Sequence, residues 1–331
     1  MVKYADVARA LGISKATVSL VINNRPGVSE ETRRLVLNQL EQMEADQKRG
    51  LSAANRMIKV VVVNHRKNTM YDPEMDLWTP VFNTFERLAR LRGYSFSVAN
   101  WDDEEQTEKE ILRECEEDAV AGVIVFATEA REEDRKFWEK IRKPVVLYDF
   151  EDKIRNRSSV CIDGYLTLYL PIRYLLDKGI RDVVYFSTSI DIYNFDSRRN
   201  LYKTLCDNYE IRPEMEVLGG SIEEIYQNAR IWLEKRRFPR AMIFENYQVS
   251  IGMLSAMNHM SLALPYETEL IGIDEIPSYV LQRGIKFSCV KIPHAERAEH
   301  AFNLLMQEIE NPHLAKCRIE VAPSFEAAKT R

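Results

Sequence analysis

The sequence has no long apolar segment and no secretory signal pattern. Its longest apolar stretch, Val120–Ala127, is much shorter than the ~20 residues that a membrane-spanning helix needs. The amino terminus lacks the basic segment followed by an apolar segment that is typical of a signal peptide. The five cysteines form no Cys-x-x-Cys pair, which is typical of reduced, structural thiols. We therefore expect a cytoplasmic protein without a membrane partner.

Motifs for catalysis and metal binding are also absent. The sequence contains no Gly-x-Ser-x-Gly, His-Glu-x-x-His, phosphate-loop or Gly-x-Gly-x-x-Gly pattern. His259, His294, His300 and His313 have no spacing typical of metal ligands, so surface or capping positions are expected. The acidic stretch Asp102–Asp118 contains no tightly spaced quartet and is interpreted as a solvated helix face. We expect no enzyme, no cofactor and no metal site.

The charge is unevenly divided along the chain. The 331 residues are 45% hydrophobic and 29% charged, which describes a soluble protein of two or three domains. Residues 1–59 carry a net charge of +4 and the remainder −9. A basic small domain on an acidic body predicts that contact with a polyanion occurs at the amino end. Phosphate would be repelled by the body.

Residues Tyr4–Asn23 are predicted to form two short helices joined by a tight turn. Val7 and Leu11 have the spacing of an inward-facing stripe. Gly12 provides the backbone freedom that the turn needs. Ser14 is a suitable cap for the second helix.

The second helix, Lys15–Asn23, has two different faces. Val18, Val21 and Ile22 form its buried stripe. The opposite face is small, polar and basic, with Lys15, Ala16, Ser19 and Asn23. Such a face suits a recognition helix in the major groove of DNA, although an ordinary helical hairpin has the same period.

The identities of the residues in this segment indicate a particular family, whereas their helical spacing does not. The run DVARALGISKATVSLVINN, followed by Val28–Arg34, resembles the amino-terminal headpiece of the lactose-repressor (LacI/GalR) family. That family has Asp-Val-Ala, Gly-Val-Ser, Thr-Val-Ser and Asn in this order, then Val-Ser-x-x-Thr-Arg. The resemblance implies a DNA-binding headpiece at residues 1–45, whose third helix is expected at Ser29–Glu44.

The resemblance implies specific roles for the headpiece residues on double-stranded DNA. Lys15 and Ala16 are expected to contact base edges, and Thr17 and Ser19 to contact phosphates. Leu20 occupies the position where some relatives carry a base-reading arginine, so the preferred half-site should differ. The remaining expected contacts are Tyr4, Ser14, Asn23 and Arg25.

Residues 46–57 are interpreted as a hinge or linker. The family usually has Tyr-x-Pro-Asn here, then a hinge helix whose leucine opens the minor groove, as apolar wedges of minor-groove binders do. This sequence lacks the first motif but keeps an Arg-x-Leu remnant. Arg49 is thus a candidate DNA contact and Leu51 a candidate wedge. A flexible linker is the alternative, because Gly50 weakens a helix.

From Ile58 onward, short apolar runs alternate with amphipathic helical segments. This alternation predicts two mainly parallel α/β sheets covered on both faces. The body resembles the effector domain of the same family, a two-lobed periplasmic-binding-protein-like (type I) fold at residues 58–331. We expect lobe 1 at about 58–156 plus 291–318 and lobe 2 at about 157–290 plus 319–331.

Motifs along the body place candidate ligand contacts between the lobes, as the resemblance implies. Arg198 precedes Leu201, which replaces the glycine of the family's Arg-x-x-Gly-Phe; Asn246 begins a degraded Asn-Asp motif. Asp274 lies in Ile-Gly-Ile-Asp-Glu, and Asp163 is a weaker candidate. Trp78 or Phe82 is expected to stack on a sugar ring.

Together these residues predict a ligand-responsive transcriptional regulator that acts as a homodimer. Arginine, asparagine and aspartate together match hydroxyl groups, which both donate and accept, so the expected effector is a sugar or sugar derivative. An anionic ligand is an alternative, because His65, Arg66 and Lys67 could bind one. An exposed basic loop also explains these three residues. The alternatives are a small-molecule binding protein that has lost DNA binding and an α/β enzyme.

Overall fold

The structure is a computed structural model. It describes residues 4–23, 25–29, 31–40, 56–64, 78–102, 105–154, 156–235, 238–262, 267–281 and 285–328. In chain order, the helices are α1 (Tyr4–Leu11), α2 (Lys15–Ile22), α3 (31–40), α4 (Thr79–Leu91), α5 (Glu105–Cys115), α6 (Arg135–Glu139), α7 (Gly164–Asp177), α8 (Tyr193–Asn208), α9 (Ile222–Lys235), α10 (Tyr247–His259) and α11 (His294–Glu310). The strands are β1 (Met57–Val63), β2 (Ser95–Trp101), β3 (Val120–Phe126), β4 (Val145–Tyr148), β5 (Ser158–Ile162), β6 (Val183–Ser187), β7 (Glu214–Val217), β8 (Ala241–Phe244), β9 (Glu269–Ile273), β10 (Phe287–Lys291), β11 (Arg318–Val321) and β12 (Ser324–Glu326).

The helices α1, α2 and α3 enclose a small apolar core of their own. Its buried members are Val7, Ala8, Val18, Val21 and Val36. The turn between α1 and α2 contains Gly12 at a φ of +65°, a conformation that glycine adopts without steric cost. The Oγ atom of Ser14 accepts the backbone N–H of Thr17 at 3.0 Å. The helix-turn-helix headpiece predicted from the sequence is confirmed.

Two six-stranded sheets form the body. The first has the order β11-β5-β4-β3-β1-β2 and the second β12-β10-β9-β8-β6-β7. All paired strands are parallel except β10 and β12. The central strands are buried on both faces, which is why their sequences are continuous apolar runs. The predicted two-sheet α/β body is confirmed.

Helices cover both faces of each sheet. On the first sheet, α4 and α11 pack on one face, and α5 and α6 on the other. On the second, α9 and α10 pack on one face and α7 and α8 on the other. Among the described residues, no helix has the length and apolar character to cross a membrane.

The chain passes between the sheets three times, after β5, after β10 and after β11. The sheet order corrects the lobe limits predicted from the sequence. Residues 158–162 and the end of β11 were expected in lobe 2, but both lie in the first sheet. The apolar pattern of a segment predicts that it forms a strand. Which of the two sheets the strand joins depends on contacts with residues that are distant in sequence.

Gly252 lies where α10 approaches α9 closely. A Cβ atom at this position would lie 2.4 Å from Cγ2 of Ile225 and 3.2 Å from the backbone nitrogen of Tyr226. We expect Gly252→Ala to lower the free energy of unfolding by about 1–3 kcal/mol, because the clash outweighs the better helix propensity of alanine. Urea unfolding measures this. Gly164→Ala is the control, since nothing lies within 4 Å of its Cβ position; equal stability of both variants would contradict the close approach.

Candidate functional site

The predicted DNA-contact residues of α2 lie on its outer face. Lys15, Ala16 and Asn23 are exposed, while Thr17 and Ser19 are partly buried. Asn23 Nδ2 donates to the carbonyl oxygen of Ser19 at 2.8 Å and to its Oγ at 3.2 Å. These bonds fix the end of the helix. The structure therefore brings the predicted residues to one surface, and their roles stay predictions.

Other predicted contacts flank this surface. Tyr4 begins α1 and is 38% exposed; Leu20 is partly buried. Arg25 is exposed, and its carbonyl oxygen accepts a hydrogen bond from Nη2 of Arg33 at 3.1 Å. Arg33 on α3 thus holds the loop after α2. The predicted hinge residues Arg49 and Leu51, and the basic segment 65–67, lie outside the described residues.

A cavity of about 270 Å³ lies between the two lobes. Small-molecule sites are usually ~300–1,000 Å³, so this cavity lies near the lower end of that range. Its walls come from the carboxyl ends of strands in both sheets and from two of the three connections between them. In parallel α/β sheets, ligands bind at this position.

Four of the six predicted ligand residues line the cavity: Trp78, Arg198, Asn246 and Asp274. The prediction is corrected at the other two. Asp163 is the N-cap of α7, and its Oδ1 accepts the backbone N–H of Leu166 at 2.9 Å. Phe82 packs into the core of the first lobe, with its ring 5.4 Å from that of Phe126.

Arg198 and Arg199 have different surroundings. Arg199 binds the carboxylate of Glu245, with Nε–Oε1 at 2.9 Å and Nη2–Oε2 at 3.1 Å. The Glu245 side chain is 0% exposed. Arg198 lines the cavity and donates through Nη1 to the carbonyl oxygen of Glu245 at 2.5 Å. Arg199 therefore stabilises the fold, and Arg198 faces the cavity.

Two aspartates at strand ends face the cavity from opposite lobes. Asp149 follows β4 and Asp274 follows β9, and both have positive φ, 68° and 77°. Non-glycine residues adopt this conformation at a cost of about 1–3 kcal/mol, often at functional sites. Asp149 pairs with Arg297, and both carboxylate oxygens of Asp274 lie 3.1 Å from Nε2 of His294.

Further contacts join the lobes at the cavity wall. Tyr193 on α8 donates to Oε2 of Glu151 at 2.6 Å, and Arg318 also pairs with Glu151. Burial acts to raise the pKa of Glu151, but the Tyr193 hydrogen bond and the Arg318 charge outweigh it and lower that pKa. Asn194 donates to the carbonyl oxygen of Asp149 at 2.9 Å. Tyr193 and Asn194 of the second lobe thus donate hydrogen bonds to groups of the first lobe.

The predicted aromatic residue Trp78 is almost fully enclosed. It is 7% exposed, and its ring makes edge-to-face contacts with Phe126 at 4.9 Å and His294 at 5.3 Å. Asn246 is the N-cap of α10; its Oδ1 accepts the backbone N–H of Val249 at 2.9 Å. Both residues therefore shape the cavity while packing within the protein.

Sequence reasoning missed Asp149, Glu151, His294 and Arg297. Asp149 could have been found, because it directly follows an apolar strand as Asp274 does. His294 and Arg297 are three residues apart at the start of α11, a spacing that puts both on one helix face. Their partners are distant in sequence, so no local pattern indicates the pairing.

The two arginines should respond differently to substitution. Arg199→Met leaves the carboxylate of Glu245 buried without its cation, which we expect to lower the free energy of unfolding by about 3–5 kcal/mol. The matched change Arg198→Met removes a hydrogen bond to a carbonyl oxygen and a cation–π contact with the ring of Phe195, so we expect a smaller loss of about 1–2 kcal/mol. Guanidinium unfolding compares them, and equal losses would contradict this division.

Comparisons with known proteins agree with this architecture. Residues 4–44 match the model of bacterial regulatory proteins of the lacI family, and residues 172–327 match a periplasmic binding protein-like domain.

The transcriptional repressor PurR of Mannheimia succiniciproducens is 24% identical over 100% of this chain and 98% of its own length. The ribose operon repressor of Escherichia coli (strain K12) is 24% identical over 98% of both chains. The Lac repressor bound to ONPG superposes with a TM-score of 0.69 and 17% identity over 100% of this chain and 99% of its own. The chain therefore carries a lacI-family helix-turn-helix domain, followed by a periplasmic binding protein-like domain.

Proposed function

We propose that this regulator is a repressor that binds a partly palindromic operator as a homodimer. A headpiece that reads one half-site needs a two-fold partner for the other. The observation that carries the proposal is the exposed, polar face of α2 on a packed headpiece, in the same chain as a two-lobed cleft. The residues divide at 1–45 for the headpiece, 46–57 for the hinge and 58–331 for the effector domain, and the protein acts in the cytoplasm.

Support for DNA contact comes from how α2 is anchored. Val18 and Val21 face the headpiece core, which leaves Lys15, Ala16 and Asn23 toward solvent. Small side chains allow a helix to enter the major groove, and lysine can donate to guanine O6 and N7. Arg25, held by Arg33, supplies a phosphate contact beside the helix.

The cleft favours a hydroxyl-rich effector over a strongly anionic one. Four carboxylate side chains line it against two arginines, Arg198 and Arg297, so a strongly anionic ligand would be repelled. Among the described cavity residues, Arg198 is the arginine without a carboxylate partner. Asp274, Arg198 and Asn246 together accept and donate, as sugar hydroxyls require. A sugar or sugar derivative fits this set, and the ribose operon repressor is among the relatives.

Control of DNA binding follows from the position of the ligand. A ligand between the lobes stabilises the arrangement that it fits best and shifts the population toward it. A coupling free energy of about 1–3 kcal/mol between cleft and operator is enough for a useful switch.

Footprinting on the DNA upstream of the protein's own gene tests operator binding. We expect a symmetric protected site, and Lys15→Ala should weaken binding about 10-fold to 100-fold because a base contact is lost. Arg9→Ala is the matched control; this arginine is 81% exposed on α1 and pairs with Asp6. The contrary outcome is that no DNA is protected at low salt, neither upstream of the gene nor in a selection from random sequences. That result would favour a small-molecule binding protein without DNA binding.

Arg198→Met tests the cleft. We expect it to weaken binding of the best ligand in a panel of neutral sugars about 10-fold to 100-fold, the value of a hydrogen bond to a charged group. Isothermal titration calorimetry with full-length protein measures the affinity. Arg173→Met is the control, since Arg173 is exposed on α7, pairs with Asp177 and does not line the cavity. Unchanged affinity in Arg198→Met would remove this arginine from the site.

A further inference from the structure

The aromatic residues of the cavity wall differ greatly in exposure. Trp78, Phe195 and Tyr247 are 7%, 3% and 2% exposed. Their rings are enclosed by the protein and have little free surface. Tyr165 also lines the cavity but is 48% exposed. It therefore lies at the mouth of the cleft, where its ring is accessible.

The ring of Tyr165 is held in place from behind. It stacks on Tyr169, one helical turn further along α7, with centroids 5.3 Å apart and planes 16° apart. The ring of Tyr169 in turn lies 6.3 Å from that of Tyr209, the residue that follows α8. Asp163 caps the start of this helix. A stacked ring uses one face for its neighbour, so Tyr165 offers its second face without losing much rotamer freedom on binding.

The surroundings of Tyr165 combine apolar and polar groups. Leu201, which stands where the family motif has glycine, lines the cavity beside Arg198. Glu320 lines it from the end of the first sheet, and its side chain is 43% exposed. Tyr165 and Leu201 thus supply apolar surface to the same cavity, and Glu320 supplies a hydrogen-bonding group. Sugar rings have apolar faces with hydroxyl groups at their edges, and aromatic aglycones have apolar faces, so either can stack on an aromatic ring.

We propose that Tyr165 and Leu201 form a second subsite, which binds a ring joined to the sugar held by Arg198 and Asp274. The effector is then a glycoside or an oligosaccharide rather than a free monosaccharide. This inference rests on the proposed sugar-binding function of the cleft. It reassigns the stacking role that the sequence suggested for Trp78 or Phe82.

The test compares matched ligands on the full-length protein by isothermal titration calorimetry. The probes are D-glucose, D-galactose and D-xylose, each beside its p-nitrophenyl β-glycoside. We expect at least one glycoside to bind about tenfold tighter than its parent sugar, the contribution of one aromatic contact. Tyr165→Ala should abolish that difference and leave the affinity for the parent sugar unchanged.

Tyr226→Ala is the control, because Tyr226 lies on α9 beside His259 and Arg230; it should retain the preference. Equal affinities within every pair, a preference that survives in Tyr165→Ala, or binding of no glycoside would each overturn the subsite. Footprinting of the same preparations separates this result from the proposed function. Intact operator protection without a glycoside preference contradicts the subsite alone, whereas lost protection contradicts the operator-binding role.

Discussion

The first turn of α11 joins both lobes at the cleft through one ion pair and one histidine–carboxylate hydrogen bond. Arg297 binds Asp149 of the first lobe, and His294 binds Asp274 of the second. Burial acts to lower the pKa of Arg297, but the charge of Asp149 outweighs it and raises that pKa. The rest of α11 packs on the first sheet. A ligand that contacts either aspartate therefore acts on the element that sets the lobe geometry.

The headpiece could be predicted almost completely because its contacts are local. The residues of its core, from Val7 to Val36, lie within one short segment, and their spacing follows the helix period. Central strands were also predictable, since burial on both faces requires continuous apolar residues. The short edge strands β7, β11 and β12 were not, because their exposed positions carry polar side chains that resemble loops.

The site was only half predictable, for a different reason. Asp149 and Arg297 are 148 positions apart, and nothing local to either residue indicates the other. Asp163 illustrates the opposite error: it also follows a strand, but a helix begins at the next residue and its carboxylate serves as the cap. Whether a strand-end aspartate faces a ligand thus depends on the element that follows it.

Arg198 and Tyr165, the two cleft residues to which we assign ligand contacts, are both held in place by neighbouring groups. Glu245 at the end of β8 uses its carboxylate for Arg199 and its carbonyl oxygen for Arg198. The buried charge is thereby neutralised by one arginine, while the other is fixed toward the cavity. Tyr169 fixes Tyr165 in a comparable way by stacking. Because both side chains are ordered before binding, less conformational entropy is lost when a ligand arrives, and more of its interaction energy remains to shift the lobes.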